Sequence, residues 1–593
     1  MDKAQLKKLI DTAAGRVPAD LVIRNARVVD LYNGEIVPGD IAVSGKWIAG
    51  VGHYEGMVSV DAQGRYAVPG FIDSHIHIES SYVTPEELGR LLVPHGAATI
   101  IADPHEICNV CGMAGLDYMM AAARHTALDI RFMAPSCVPA TPFESSGAVL
   151  DAGTLAGALD REDILGLGEF MDFQAVAAGE EAALDKLLAA RSRGKPIDGH
   201  SPGLSGKGLT AYAAAGVRTD HECATAEELR QRIGRGMYVL LREGSACHDL
   251  EALLEGVTEE NSRRCLLCSD DRQPRTIFEQ GHLEHHLRLC VKAGLSPITA
   301  LRMATLNAAE CYGLSDRGAI APGLLADIVL LDNLEEFRVS QVFLRGREAA
   351  RDGAYLLPVE RADPAAVDST MHVRGFSADS LKLHLKSSRV HTIDLIPGGI
   401  RTRKGTATVA LDADGDFIRD PAVDLVKVSV IERHHGTGRV SSALLRGYGL
   451  QRGAVALSIS HDSHNIIAVG ADNGEAAFAV EQLIAQRGGI VLTEGGQVLG
   501  SLPMPIGGLM SDRSGAWVRD QLDLLHRLAR ERLGISLDVE PIMTLCFMSL
   551  VVVPQVKLTD RGLFELEKSA YIPLEAEEGP REPLDSPRTA LYF

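Results

Sequence analysis

At 593 residues the chain is too long for a single core and calls for two or three domains. Its 46% hydrophobic content and 59 glycines describe a globular protein with many tight turns, and the acidic excess, a formal charge of -20, argues against a nucleic-acid partner. The N-terminus, M-D-K-A-Q-L-K-K-L-I, turns polar again at Asp11, which excludes a signal peptide, and no run reaches the roughly 18 apolar residues that a membrane span needs.

In chain order, residues 1–14 read as a short amphipathic helix with Leu6, Leu9 and Ile10 on one side. Residues 20–66 are β-rich segments separated by Asn, Gly and Pro, the pattern of a small sheet domain. The same signature returns in residues 326–334 and 341–345, so one sheet domain completed by both flanks is expected. Between the flanks, short apolar runs alternate with helical patterns, the signature of β/α units around a parallel sheet. Strand candidates fall at residues 68–73, 97–103, 129–133, 164–169, 196–200, 216–220, 237–241 and 265–270. Eight strands close a barrel, whose chemistry belongs at the C-terminal strand ends.

The polar residues fall at those ends. The stretch V-P-G-F-I-D-S-H-I-H-I-E-S-S (residues 68–81) presents His75 and His77, which a strand period of two points the same way as a metal-ligand pair. The fourth candidate ends at Glu169, the fifth at His200, the sixth at His221 and the eighth at Asp270. Singly, each has a bland reading as a helix start, a loop hydrogen bond or a cap. Together they give four imidazoles and two carboxylates, a ligand set for two divalent metal ions, and such a site lowers the pKa of water beside a carboxylate that shuttles protons. G-L-S-G-K-G-L (residues 203–209) is not a phosphate loop, because its lysine is not followed by Ser or Thr.

Beyond the eighth candidate, H-L-E-H-H-L-R-L-C (residues 282–290) reads as a helix with His282, His285 and His286 on a polar surface, and residues 299–314 read as one helix packed on the sheet. A boundary is expected in the Pro- and acid-rich stretch 357–370. The tail then alternates strands (residues 406–411, 425–431 and 454–460) with a helix near 475–486, an α/β domain. Its densest polar cluster, H-D-S-H-N (residues 461–465), suits metal binding, closure of the barrel mouth or a hydrogen-bonded turn, and Glu494 with Gly495 and Gly496 is a weaker candidate of the same kind. The ten cysteines are scattered, several in apolar runs, which fits reduced thiols in a cytoplasmic protein. Two C-x-x-C pairs, Cys108 with Cys111 and Cys265 with Cys268, read as free thiols rather than a zinc site.

These motifs, with I-A-D-P-H-E-I-C-N-V-C-G, D-G-H-S-P-G-L-S-G, T-D-H-E, I-S-H-D-S-H-N-I-I-A-V-G and L-P-M-P-I-G-G-L-M-S, resemble those of the bacterial adenine deaminase family within the metal-dependent amidohydrolase superfamily. The resemblance covers almost the whole chain. It implies a (β/α)8 TIM-like barrel over residues 67–325, a small flanking β-sandwich made of residues 1–66 and 326–370, and an α/β C-terminal domain over 371–593. It implies that His75, His77 and Asp270 hold one metal ion, that His200 and His221 hold a second, and that Glu169 bridges them. Manganese(II) or iron(II) is favoured, and zinc is compatible with the donors. The implied reaction is hydrolytic deamination of adenine to hypoxanthine and ammonia, with another purine, cyclic amide or amidine as the alternative substrate. Asp270 would ligate metal and act as general acid/base. In D-P-H-E-I, either Asp103 and Pro104 build a turn with Glu106 in water, or His105 or Glu106 touches the purine ring or the leaving amine. Glu79, Ser80 and Ser81 are read as supporting residues, and Arg242 and Glu243 as weaker candidates. A cytoplasmic homo-oligomer acting on a small molecule, with no membrane or nucleic-acid partner, completes the expectation.

Overall fold

A computed structural model describes residues 1–397 and 399–577. Apolar and β-branched residues run through the 12-residue strand Ala19–Asp30, which organises the first sheet. On one side it pairs antiparallel with Glu35–Ser44; on the other its first half runs parallel to Gly56–Asp61 and its second half to Tyr66–Pro69. The changeover falls at a bulge between Ile23 and Ala26, where Asn25 takes φ 57° and its amide donates to Asp61. Tyr66–Pro69 then pairs antiparallel with Ile328–Leu331, and Val339–Leu344, Arg347–Arg351 and Ala354–Tyr355 extend the array. The result is one hydrogen-bonded sheet of nine strands, continuous because the long strand changes neighbours midway instead of ending, and Ile23, Val28, Ile41, Ile328 and Phe343 from strands across it share one core. The first helix, Lys3–Ala13, rests on this sheet through Leu9 and Thr12. That rotation turns Leu6 and Ile10 outward, so the predicted apolar face is mostly exposed.

The central strands are Phe71–Ile76, Ala97–Ala102, Asp129–Ala134, Ile164–Phe170, Ile197–Gly199, Thr219–Asp220, Tyr238–Arg242 and Cys265–Cys268. They form a curled parallel sheet in two hydrogen-bonded arcs, the first five strands and the last three. Where the arcs meet, Asp270 N donates to His75 O (3.0 Å), His77 N donates to Asp270 O (3.1 Å), and Arg218 N donates to Ile197 O (2.8 Å). The run 68–73, read as one strand, is divided at Gly70: Val68 belongs to the nine-stranded sheet and Phe71 opens the parallel one. A Cβ on Gly70 would lie 2.3 Å from that of Ala98, so the chain passes between the two sheets only as glycine. Residues 299–314 are likewise divided, into Pro297–Ala304 and Leu306–Tyr312, at Thr305. The turn brings the Tyr312 hydroxyl to Ser74 O (2.9 Å) and Asp198 (3.0 Å) inside the sheet, a contact that a straight helix on the outside could not make.

The C-terminal sheet has eight strands in the order Thr402–Thr408, Arg389–Leu395, Val440–Arg446, Leu425–Ile431, Ile466–Gly470, Ala454–Leu457, Gly489–Glu494 and Gln497–Pro503. Helix Asn473–Ala485 covers it through Ala479, Val480 and Leu483. The sheet is fastened over the central strands by polar contacts. Ser145 donates to Asp560 through N (2.9 Å) and Oγ (2.7 Å), Asn465 donates to Ser145 O (2.8 Å), and Gly515 N donates to Glu87 (2.9 Å). Among the described residues no helix is long and apolar enough to cross a membrane.

Candidate metal centre

His75 lies in the first parallel strand and His77 just beyond it, and their Nε2 atoms converge to 3.1 Å. The Nδ1 of His77 donates to the carbonyl of Asp103 at 2.9 Å, which fixes the tautomer and leaves the Nε2 lone pair facing inward. Asp270, following the eighth strand with φ 58°, sets Oδ1 at 3.1 Å from His77 Nε2 and 3.7 Å from His75 Nε2. Glu169 stands between two groups. Its Oε2 is 2.9 Å from His200 Nδ1 and 3.1 Å from His221 Nε2, whereas Oε1 is 3.5 Å from His77 Nε2. Asp103 Oδ2 accepts the amide of Glu169 at 2.8 Å and so holds that strand end in place.

Burial opposes charge throughout this cluster, and the neighbours decide each outcome. Burial, with His221 and His77 alongside, drives the His75 pKa well down, which keeps its imidazole neutral and able to donate a lone pair. Glu169 stays well below the usual carboxylate range because His200 and His221 outweigh its burial, and Asp270 does so because of His77 and Arg242. Donor atoms come within 4.8 Å of one another in four sets: His75, His77 and Asp270; His75, Glu169 and His221; His77, His105 and Glu169; His200, His221 and Glu222. The same carboxylates outweigh burial at His77, His200 and His221 and push their pKa values up, His200 to about 9, so a metal ion would take the place of the protons these imidazoles share with Asp270 and Glu169. Imidazoles mixed with ionised carboxylates can hold one or two metal ions.

The six ligand candidates are thus brought together, and His105 and Glu222 join them. Glu222 directly follows His221 in T-D-H-E, but its position carries no strand-end signal of its own in the sequence. Arg242 links the acids, donating to Glu222 and, at 2.8 Å, to both Asp270 Oδ2 and Asp249. Glu106 does not point into water: it is buried, accepts from Ser80 Oγ (2.8 Å), and lies 3.4 Å from His461 Nδ1. Glu79 accepts from Ile107 N (3.1 Å), and burial beside Glu106 pushes its pKa up to about 8.

The C-terminal domain supplies the rest. His461 and Asp462 reach the mouth of the cavity, where Asp462 Oδ1 is 3.7 Å from His105 Nε2, and the Phe547 ring stacks on His461 at 4.8 Å with an interplanar angle of 5°. Ile400, Phe547, Leu550, Val552 and Val553 make an apolar roof over a cavity of about 130 Å³ whose floor is the acid–imidazole cluster. Nothing in the sequence marked these roof residues, since apolar side chains spread along a domain look like any core.

Other candidates fall elsewhere. Glu494 sits at a hairpin end paired with Arg532, and Glu243 pairs with His248 at 2.6 Å. His282 and His286 are buried, not on a polar surface: the two ring nitrogens of His286 lie 3.0 Å from His282 O and 3.1 Å from Cys268 O, of which the neutral ring donates to one, and His282 Nε2 lies 3.1 Å from Asp73. The cysteines, Cys108, Cys111, Cys265 and Cys268 included, are free, and none joins a ligand set among the described residues.

Residues 66–349 match the model of the Amidohydrolase family, and residues 400–570 match that of the Adenine deaminase C-terminal domain. The chain is 58% identical to "Adenine deaminase 2" of Desulfotalea psychrophila over 97% of this chain and all of that one. It is 48% identical to "Adenine deaminase" of Ligilactobacillus salivarius, over 96% and 99% of the two chains, and 49% identical to "Adenine deaminase" of Nitratidesulfovibrio vulgaris, over 95% and 98%.

Proposed function

The chain belongs to the adenine deaminase family of metal-dependent amidohydrolases, and from this membership we infer that it hydrolyses adenine to hypoxanthine and ammonia. The observation that carries the reading is a cavity with an acid–imidazole floor and an apolar roof, which suits a flat, nitrogen-rich ring presented edge-on to the polar side.

His75, His77 and Asp270 would hold one divalent cation, His200 and His221 a second, with Glu169 between them; manganese(II) and iron(II) are favoured and zinc fits the same donors. When bound, such ions act as Lewis acids and lower the pKa of water. Asp270 then receives a proton from the attacking water and delivers it to the departing amine, as general acid/base carboxylates do. Arg242 occupies Asp270 Oδ2, leaving Oδ1 turned toward His75 and His77. Glu106 or His105 serves the ring edge: both are buried at the cavity and tied to the tail through His461 and Asp462.

The same reading takes the curled sheet as a closed eight-stranded barrel over residues 67–325, supported by the hydrogen bonds between its arcs, with the flanks and residues 371–593 as separate domains. A cytoplasmic setting agrees with free cysteines, a small-molecule substrate with a cavity of about 130 Å³, and the absence of a nucleic-acid partner with the charge of -20; assembly as a homo-oligomer is part of the proposal. The test is ammonia release by metal-loaded protein from adenine, guanine and adenosine, with ring opening of cyclic amides followed separately by mass spectrometry. Adenine should be turned over best; no ammonia from adenine, or faster ring opening of a cyclic amide, would overturn the assignment.

A further inference from the structure

Lys557 is fully buried in the short strand Val556–Thr559, and its ammonium donates to two backbone carbonyls, Ile400 O at 2.7 Å and Phe547 O at 2.9 Å. Both acceptors belong to residues whose side chains line the cavity. Among the described residues no carboxylate pairs with this lysine, and burial alone pushes its pKa down to about 7. Burying this amine without a counter-ion opposes its charge, and the two carbonyls are what its hydrogens meet instead.

The surroundings show what it holds. Thr402 N donates to Pro554 O (3.0 Å) and Leu558 N to Met548 O (3.0 Å), so backbone bonds already fix the residues at 402 and 548 to the Lys557 segment. These bonds stop short of Ile400 and Phe547, two of the residues that line the cavity, and the lysine spans that step. Phe547, so anchored, is the ring stacked on His461, which in turn faces Glu106 on the floor.

We propose that Lys557 is a positioning residue for the deamination reaction: it clamps Ile400 and Phe547 together and thereby sets the height of the apolar roof over the bound purine. The clamp touches neither the purine nor the metal ligands. It acts through Phe547 and Ile400 on the fit of the ring, and so on binding more than on proton transfer. This rests on adenine occupying the cavity.

The test is Lys557→Met, which keeps the length of the side chain and removes its donors. KM for adenine should rise about tenfold or more, the size of one or two hydrogen bonds from a charged donor, while kcat stays within about threefold and metal content is unchanged. An unchanged KM, or a fall in kcat alone, overturns the clamp. Because burying the Ile400 carbonyl without this donor can compromise folding, Lys557→Gln provides a second arm, read by amide hydrogen exchange without substrate. Faster exchange confined to residues 400–403 and 545–550 supports the clamp; no change there, or equal acceleration across the whole C-terminal domain, overturns it. Wild-type protein that releases no ammonia from adenine would sink the functional assignment, while the exchange result would still decide whether Lys557 holds the roof.

Discussion

The floor of the cavity is made from consecutive strand ends of one parallel sheet, whereas its roof is gathered from separated segments of the C-terminal domain. On the floor, His75, His77, Glu169, His200, His221 and Asp270 each follow or close a strand, so their convergence is a consequence of the sheet's direction. On the roof, Ile400, Phe547 and Val552 meet because a buried lysine and cross-segment backbone bonds bring them there. The comparison separates two tasks. Charge placement is built into rigid strands, and ring recognition into segments whose geometry depends on their supports.

That division predicts the largest losses on the floor. Asp270→Asn keeps size and metal affinity but removes the proposed proton carrier, so kcat should fall on the order of 10² or more with metal content near that of the wild type. Glu169→Gln should differ by losing metal, measured by elemental analysis, and added manganese(II) should restore part of its activity. Full occupancy with near-normal turnover of the Asp270 variant would move the proton path to another residue.

Arg242→Lys sharpens the comparison from within the floor. A lysine is a point charge and cannot reach Glu222, Asp249 and Asp270 together, so the hold on Asp270 Oδ2 loosens. A fall in kcat of about tenfold with little change in KM is expected from steady-state kinetics. A change confined to KM would place Arg242 with the roof instead.

On the roof, Phe547→Leu should raise KM for adenine by about 5-fold or more, since it removes an aromatic ring that lines the cavity and stacks on His461, and should leave metal content untouched. Loss of metal in this variant would break the distinction between floor and roof.

The smallest effect lies in the support of the tail cluster. Burial, and then Arg433, push the pKa of His434 down to about 3, and its Nε2 bonds Ser463 O at 2.7 Å, next to Asp462. The unfolded histidine takes up a proton near pH 6.5, but the folded one does not until about pH 3. Its contribution to stability is therefore fully present above pH 6.5 and is lost as pH falls from there toward 3, by about 1.4 kcal/mol per pH unit. Denaturation at pH 6.5 and pH 5 should show His434→Gln losing about 2 kcal/mol less than the wild type over this interval. Equal losses would mean that His434 is not the titrating group.

The sequence by itself determined the alternation of strands and helices, the H-x-H pair and the later strand-end acids and imidazoles. These depend on local periodicity and on a topology in which every parallel strand points its C-terminal end the same way. It did not determine where a segment changes sheets. Val68 and Phe71 look continuous, and only the close approach of Gly70 to Ala98 divides them. Nor did it determine which face of a helix turns inward: Leu6 and Ile10 are exposed while His282 and His286 are buried, because neighbours, and not the helix's own pattern, supply the partners. The contacts of Glu106 with His461, of Glu222 with Arg242 and of Lys557 with two roof carbonyls were likewise decided by tertiary structure alone. The first joins two domains and the others join separate segments within one, and no periodicity in sequence encodes a distance that exists only once those segments have packed.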